Sequence, residues 1–357
     1  MFSVSLSDSP LWLNMAIFSL AALAIWLAGA RLAVAADIIA DRSGLGEAFV
    51  GLVLLATVTS LPEIGRTITA SALGNAPLAV NALFGGILIQ TAILALADLA
   101  IAQRVLTYFA PKPVLLLQAG VVLLLLGLAL AGMAAGEIVQ LFGVGLWTTI
   151  LAGLYLYSLH LLKNYEKREQ WRPVQVPREL KEEVVRREIR QRDQRQKPLM
   201  RIVLWFALSG GIIFLAGVLL AEVGNALAVQ TGLGAGFVGA TLLAFAGSLP
   251  ELSTTIAAVR LGAYSMAISN IFGTNALLVA LLFLSDVFYR RGPVLEAVDR
   301  SAAFAAALGI VTTSIYLLGM LERRNRVVLG MGLDSLAVLL VYAAALVVMY
   351  WLRGSGG

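Results

Sequence analysis

The sequence contains one five-residue motif twice, and each copy places a proline and a glutamate inside an apolar segment. Residues 59–63 read Thr-Ser-Leu-Pro-Glu, and 188 positions later residues 247–251 read Gly-Ser-Leu-Pro-Glu. The match continues upstream without a gap, because residues 44–56 agree with residues 232–244 at most glycine and apolar positions. Agreement this dense exceeds what a shared apolar composition produces. The chain is therefore an internal duplication with a Pro-Glu pair inside each half.

The composition identifies the class of protein. Hydrophobic residues make up 60% of the chain and charged residues 13%, and the mean hydropathy is +0.89. Soluble domains are about half apolar and about a quarter charged, so we predict a polytopic membrane protein. The absence of cysteine excludes disulfides and thiolate metal sites. Half of the 26 basic residues lie between Lys163 and Arg201, so the high pI describes one loop and not a nucleic-acid surface.

A membrane-spanning helix needs about 20 apolar residues, which leaves room for about ten spans in 357 residues. We predict an all-α integral membrane fold with transmembrane helices at about 11–39, 46–73, 77–101, 113–132, 138–162, 200–229, 235–262, 264–288, 297–320 and 332–352. Residues 1–162 then form a first five-helix repeat, residues 163–199 a basic loop, and residues 200–353 a second five-helix repeat.

The basic residues predict the orientation of these helices. With both termini outside, the connections that carry Arg42, Lys112, the basic loop, Arg260 and Arg323 are all cytoplasmic, as the positive-inside rule requires. Arg290, Arg291, Arg300 and Arg353 disagree with this assignment. Because each repeat has an odd number of helices, the two repeats are inverted relative to one another. Inverted repeats are typical of secondary transporters, whose substrate sites lie near the midplane.

The two motifs are also the places where chemistry is expected. Pro62 and Pro250 each remove a helical hydrogen bond and free a backbone carbonyl, and Glu63 and Glu251 put carboxylates into the bilayer. Intramembrane acids are costly and mark functional sites by default. Carboxylates, freed carbonyls and hydroxyls favour a hard cation such as Ca²⁺ or Na⁺. A structural hydrogen bond between two helices is the alternative role for each glutamate.

The paired Ser-Leu-Pro-Glu motif in inverted repeats resembles the cation/calcium antiporter superfamily, typified by sodium/calcium exchangers. The resemblance covers residues 31–100 and 219–288 and the ten-helix layout. It implies a secondary active antiporter and not an enzyme, which exchanges Ca²⁺ for Na⁺ or H⁺ by alternating access and has no resident cofactor. It further implies an ion site in helices 2, 3, 7 and 8, whose residues in this sequence are Thr59, Ser60, Glu63, Gly247, Ser248, Glu251, Gln90, Thr274 and Asn275.

The sequence departs from the family pattern at several of these positions. Gly247 stands where the family has threonine, and family ligands are also lost at Gly86, Ile87 and Leu278. Arg66 follows Glu63 by one helical turn. If it faces the cavity, the reduced negative charge favours a monovalent Na⁺/H⁺ exchanger, and a transport-dead cation sensor is a further alternative.

Several peripheral residues carry weaker expectations. We expect Arg66 to extend toward the outer surface or to pair with Asp98. Asp98 and its repeat equivalent Asp286 are interpreted as interface residues at helix ends. The basic loop 163–199 is expected to be a solvated linker helix, or a surface helix that contacts anionic lipid. The compact chain predicts a prokaryotic inner membrane, with inorganic cations and the bilayer as its partners.

Overall fold

The computed structural model describes residues 9–101, 105–110, 112–141, 143–166, 196–231, 247–298 and 300–354. Within these residues each of the ten predicted segments contains a helix. The first repeat has α1 (Leu11–Ser43), the two-part α2 (α2a, Glu47–Thr59, and α2b, Leu61–Ala72), α3 (Ala76–Asp98), α4 (Pro113–Ala135) and α5 (Leu146–Glu166). The second has α6 (Leu199–Thr231), α7 (Leu249–Arg260), α8 (Tyr264–Phe288), α9 (Arg300–Glu322) and α10 (Leu333–Gly354).

Length and hydropathy confirm the membrane class. Among the described residues, six helices are long and apolar enough to cross a bilayer, and the bent α2 passes the same test as a seventh. Most of the basic loop and the predicted beginning of the seventh helix, residues 167–195 and 232–246, lie outside the described residues. The expected linker or lipid-binding helix therefore stays a prediction.

The helices divide into a central group and a peripheral pair. The apolar stretch of α8 is 78% buried and that of α3 is 67% buried, whereas the corresponding stretch of α1 is only 22% buried. α8 packs against α2, α3, α4, α5 and α7, and α3 packs against α9 and α10. α1 and α6 lie along one another and contact α7 and α2 respectively. Helices α3 and α8 are therefore the core on which the two broken motifs are assembled.

Two glycines bring α2a and α8 close together. A Cβ on Gly51 would lie 2.7 Å from the carbonyl oxygen of Met266, and a Cβ on Gly273 would overlap the carbonyl oxygen of Leu52. At these contacts the two backbones touch without intervening side chains, which is how small residues tighten helix pairs in membranes. The hydroxyls of Ser71 and Ser285 join the far end of α2b to α8 at 2.7 Å.

The predicted start of the fifth helix at residue 138 is wrong. Residues Gln140–Leu141 (β1) and Val144–Gly145 (β2) form a short antiparallel hairpin, and α5 begins only at Leu146. A second hairpin, Val327–Val328 (β3) with Met331–Gly332 (β4), precedes α10 at the equivalent place in the other repeat. Its turn has positive φ at both central residues, 53° at Leu329 and 85° at Gly330, as a tight hairpin turn requires.

Asp98 and Asp286 hold these hairpins in place across the two repeats. Asp98 accepts hydrogen bonds from the N–H of Leu106 in its own repeat and from the N–H of Gly332 in the other, both at 2.6 Å. Asp286 likewise accepts from Val294 at 2.8 Å and from Gly145 of the other repeat at 2.7 Å. Both aspartates are buried. Their interpretation as interface residues at helix ends is confirmed.

We expect Asp286→Ala and Asp98→Ala each to destabilise the folded protein. Each change leaves two buried N–H groups without their carboxylate, which costs about 1–3 kcal/mol per orphaned group. The measurement is the melting temperature of the purified protein in detergent. The control is Glu322→Gln, which removes a carboxylate from an exposed ion pair with Arg324 and should change little. Equal melting temperatures for all three variants would contradict the bridging role.

Candidate functional site

In both motifs a new helix begins directly after the serine. α2a and α2b meet at Ser60 with a bend of 50°, and Ser60 has φ −86° and ψ 3°. Ser248 begins α7 with nearly the same backbone, φ −95° and ψ 4°. A proline lies in the first turn of the helix that follows each serine, where an N–H group would have no partner within that helix. The expectation that each proline removes a helical hydrogen bond is therefore wrong, because the new helix begins just before the proline. Each break consequently places the motif glutamate in the first turn of a new helix, where the helix dipole favours a negative charge.

A second irregularity precedes the first break. Residues Gly51–Leu55 form a π-helical segment in the middle of α2a. π-Helical turns inside α-helices are frequent at functional sites because they redirect the following residues. Together with the bend at Ser60, this segment determines which way Thr59 and Glu63 point.

The two motif glutamates meet in the interior of the protein. Glu251 is fully buried and Glu63 is 9% exposed, and the two carboxylates are close enough to interact electrostatically. The side chain of Thr59 lies beside the Glu251 carboxylate, so the first motif reaches the glutamate of the second. Both oxygens of Glu251 and one oxygen of Glu63 are buried without a hydrogen-bond partner in the described part of the chain. Unsatisfied carboxylates are strongly disfavoured in a buried environment, and a bound cation or proton would relieve that cost.

Arg66 turns inward toward Glu63. Its Nη2 donates to Oε1 of Glu63 at 2.7 Å, although 44% of the Arg66 side chain remains exposed. The expectations that Arg66 extends away from the site or pairs with Asp98 are both wrong. They failed because the guanidinium finds a buried carboxylate one turn away, while Asp98 is already engaged by backbone N–H groups.

A glycine provides the space that Arg66 occupies. A Cβ on Gly247 would lie 2.7 Å from Nη2 and 2.9 Å from Nη1 of Arg66. The guanidinium therefore lies directly over the first residue of the second motif. A cavity of about 10 Å³, close to the volume that one water needs, opens beside it and is lined by Pro62, Arg66, Gly217, Leu220, Ala221, Gly247 and Pro250.

Comparison with known proteins places this arrangement in a family. The sequence profile described as "Sodium/calcium exchanger protein" matches residues 13–162 and 201–351. The chain belongs to the sodium/calcium exchanger family. It is 27% identical over 245 residues to the inner membrane protein YrbG of Escherichia coli, a match that spans 69% of this chain and 70% of YrbG.

Solved structures of the sodium-calcium exchanger NCX_Mj have the same fold as this exchanger-family protein. The structure soaked with 10 mM Na⁺ and zero Ca²⁺ matches with a TM-score of 0.72 and 15% identity, over 95% of this chain and 99% of that chain. The structure soaked with 2.5 mM Na⁺ and 0.1 mM Ca²⁺ matches with a TM-score of 0.70 and 16% identity, over 94% and 98%. The predicted all-α fold of two inverted repeats is confirmed, as is a membrane transporter rather than an enzyme.

The sequence-predicted ligands of this exchanger-family protein fall into two groups. All are buried except Gly247, which is partly exposed. Glu63 and Gly247 contact the Arg66 guanidinium, Thr59 lies beside Glu251, and Ser60 and Ser248 directly precede α2b and α7. Within the described residues, no hydrogen bond joins Glu251 to Gln90, Thr274 or Asn275. Asn275 instead donates to Thr91 at 3.1 Å and so links α8 to α3, while Thr274 donates to the carbonyl of Asn270.

Two residues of α8 contribute more to the site than sequence reasoning assigned to them. Asn270 donates to Thr254 at 3.1 Å and to Thr255 at 3.3 Å, and Thr254 in turn bonds the carbonyl of Glu251. The hydroxyl of Ser269 is buried without a partner among the described residues, next to Gly51 of α2a. Both residues lie one turn before the predicted ligands Thr274 and Asn275 in the same helix. Their polar side chains within an apolar segment were the signal available from the sequence.

The site holds only two carboxylates. In the residues that the structure describes, no group of three or more histidine, cysteine, aspartate or glutamate side chains is placed to hold a metal ion. Two carboxylates and one guanidinium leave a net charge of −1 around the breaks. A cation bound here would depend on neutral oxygens of the backbone and of hydroxyl and amide side chains for the rest of its coordination.

Two equivalent glycines place α1 and α6 against the broken helices of the opposite repeats. A Cβ on Gly217 of α6 would lie 2.9 Å from Cγ of Pro62, and a Cβ on Gly29 of α1 would overlap the hydroxyl of Ser253 in α7. Gly29 and Gly217 are 188 positions apart, the spacing of the duplication. At these two glycines the peripheral pair approaches the motif helices without an intervening side chain.

We expect Gly217→Val to impair the protein more than Gly211→Val on the same helix. Valine at 217 must displace α6 from Pro62, whereas a Cβ at Gly211 meets nothing within 4 Å. The loss should appear as reduced cation flux in proteoliposomes and, because overpacking costs about 1–3 kcal/mol, as a lower melting temperature. Equal behaviour of the two valine variants would show that α6 does not need this close contact.

Proposed function

We propose that this protein is a secondary active cation antiporter that works by alternating access, with its cargo bound between Glu63 and Glu251. The observation that carries the proposal is the buried Glu251 carboxylate, which has no partner among the described residues and lies beside Thr59 of the opposite repeat. A carboxylate in this position stabilises a cation that has shed its water. The inverted repeats supply the two half-sites from which such a site is built.

The residues of the two motifs would replace the hydration shell of the bound cation. The glutamates supply charge, and the breaks at Ser60 and Ser248 supply backbone carbonyls and hydroxyls, which are the oxygen ligands that hard cations prefer. Antiport requires that two cations use overlapping ligands, so that one must leave before the other binds. In the proposed cycle, α1 and α6 rock across a core of α2, α3, α7 and α8 and expose the site to alternate sides.

Two cargo classes are compatible with this mechanism. The family description and the name of NCX_Mj favour Ca²⁺ exchanged for Na⁺, and the sequence leaves H⁺ as the alternative coupling ion. The pairing of Arg66 with Glu63 instead favours the monovalent alternative, Na⁺/H⁺ exchange, because it reduces the charge that a divalent cation needs. Both classes use Glu251, so its role does not depend on the choice between them.

The proposal includes an orientation. Both termini face outward and the loop 163–199 is cytoplasmic, where its basic residues can contact anionic lipid. The relative YrbG is named as an inner membrane protein, which supports a prokaryotic inner membrane for this chain. Accessibility labelling of single cysteines introduced at Asp8 and Asn325 gives a direct check, because the chain has no cysteine of its own. Labelling of both positions from the same side would contradict the assignment.

We expect Glu251→Gln to abolish exchange because it removes the unpaired charge that holds the cation. Purified protein in proteoliposomes, with opposing gradients of radiolabelled Na⁺ and Ca²⁺ and of pH, should catalyse flux of at least one cation. Glu322→Gln, on an exposed carboxylate, is the matched control and should retain it.

A second readout separates a transporter from a cation sensor that has lost transport. A cation that binds the folded state raises the melting temperature. Stabilisation without flux would support the sensor alternative. If no cation produces either effect, or if Glu251→Gln behaves as the parent protein does, the proposal fails.

A further inference from the structure

The two halves of the site differ from one another. This difference supports an inference that rests on the proposed function and specifies which cation is transported. We propose that Arg66 is a built-in counter-cation, which occupies the Glu63 half of the site and restricts the transported species to one monovalent cation, Na⁺ or a proton, at Glu251. Arg66 thereby acts as a specificity-determining residue.

The repeat symmetry shows what the guanidinium replaces. Position 59 and position 247 are equivalent in the duplication. On one side, the Thr59 side chain lies beside Glu251 of the opposite repeat. On the other side, residue 247 is a glycine without a side chain, and the Arg66 guanidinium lies over it and bonds Glu63 at 2.7 Å. Arg66 therefore takes the place beside Glu63 that a threonine side chain has beside Glu251.

The two unusual residues depend on one another sterically. A Cβ at position 247 would lie within 3 Å of both terminal nitrogens of Arg66, at 2.7 Å and 2.9 Å. A side chain at position 247 must therefore shift the guanidinium from its present place beside Glu63, and a larger side chain must shift it further. The position equivalent to Arg66 in the second repeat is Thr254, whose hydroxyl bonds the carbonyls of Pro250 and Glu251 within its own helix. Among the described residues, the first motif therefore has a basic side chain at this position and the second does not.

The charge of the site then selects the cargo. With Glu63 neutralised by Arg66, Glu251 is the single uncompensated carboxylate, and no third acidic or histidine side chain joins the cluster in the described residues. A Ca²⁺ ion would leave the buried site with a net charge of +1 and with a guanidinium as its neighbour. A Na⁺ ion or a proton makes the site neutral, which is the state that a buried cluster tolerates best.

The test compares cation binding by four proteins, the parent chain, Arg66→Thr, Gly247→Thr and the double variant. Arg66→Thr installs the residue of the equivalent position 254, and Gly247→Thr displaces the guanidinium without removing it. Arg260→Thr, at the exposed end of α7, is the control for loss of a basic residue. Each protein is purified with its folded state checked by monodispersity, and equilibrium binding of radiolabelled Ca²⁺ is measured beside stabilisation by Na⁺ and by proton concentration.

We expect the parent and Arg260→Thr to be stabilised by Na⁺ or by acid and to bind Ca²⁺ weakly. Arg66→Thr and the double variant should bind Ca²⁺ about ten-fold or more tightly than the parent, because a positive charge at ion-pair distance from the bound cation is gone. Gly247→Thr should shift affinity in the same direction. If Arg66→Thr does not fold, the Ca²⁺ affinity of Gly247→Thr still tests the proposal.

The unfavourable outcomes are distinguishable. If the parent binds and exchanges Ca²⁺ with an affinity that neither Arg66→Thr nor Gly247→Thr changes, the antiporter proposal stands and the role of Arg66 is overturned. If no variant binds or moves any cation, and Glu251→Gln is indistinguishable from the parent, both proposals are overturned. Gain of Ca²⁺ binding in Arg66→Thr and in Gly247→Thr, with Arg260→Thr unchanged from the parent, supports the inference as stated.

Discussion

The interior of a bilayer offers no hydrogen-bond partner, and the arrangement of this protein depends on how its polar groups are satisfied without water. Asp98 and Asp286 are satisfied completely, each by two backbone N–H groups from both repeats. Glu63 is satisfied in part, by Arg66. Glu251 is left without a hydrogen bond among the described residues. These four acids thus differ in how far the protein itself satisfies them. A bound cation would stabilise Glu251 most, because that carboxylate is the least satisfied of the four.

The two repeats have equivalent backbones around the site, and a few residue differences between them make the site asymmetric. The breaks at Ser60 and Ser248 have nearly the same backbone angles, and Gly29 and Gly217 make equivalent contacts. Against that background, Gly247 (equivalent to Thr59) and Arg66 (equivalent to Thr254) stand out as a matched pair, because the guanidinium fills the space that the glycine leaves. Within one fold, selectivity can consequently be altered at two positions while the frame that carries the motion is kept.

The sequence was sufficient for the fold and for the heart of the site. The spacing of the duplication, the apolar runs and the Pro-Glu pairs located the ten helices and brought Glu63 and Glu251 together, because these signals are local or repeat exactly in register. The start of α5 was predicted eight residues too early because Ile138, Val139 and Leu141 extend the apolar run. The hairpin forms instead because Gly143 adopts a φ of 82° and the N–H of Gly145 bonds the carboxylate of the distant Asp286. The orientation predicted for Arg66 was also wrong because it depends on another helix. The partner of a long side chain is determined by the space that neighbouring helices leave, and here Gly247 leaves room for the guanidinium beside Glu63.

The bridges made by Asp98 and Asp286 have a consequence for biogenesis. Each takes its carboxylate from one half of the chain and a backbone donor from the other, so neither half contains all the partners of its own acid. During synthesis, the carboxylate of Asp98 enters the membrane more than 200 residues before the hairpin at Gly332 is made. The contacts of Asp98 in the first half can be completed only after α9 and the hairpin that precedes α10 have been synthesised. The two halves therefore assemble in one final step.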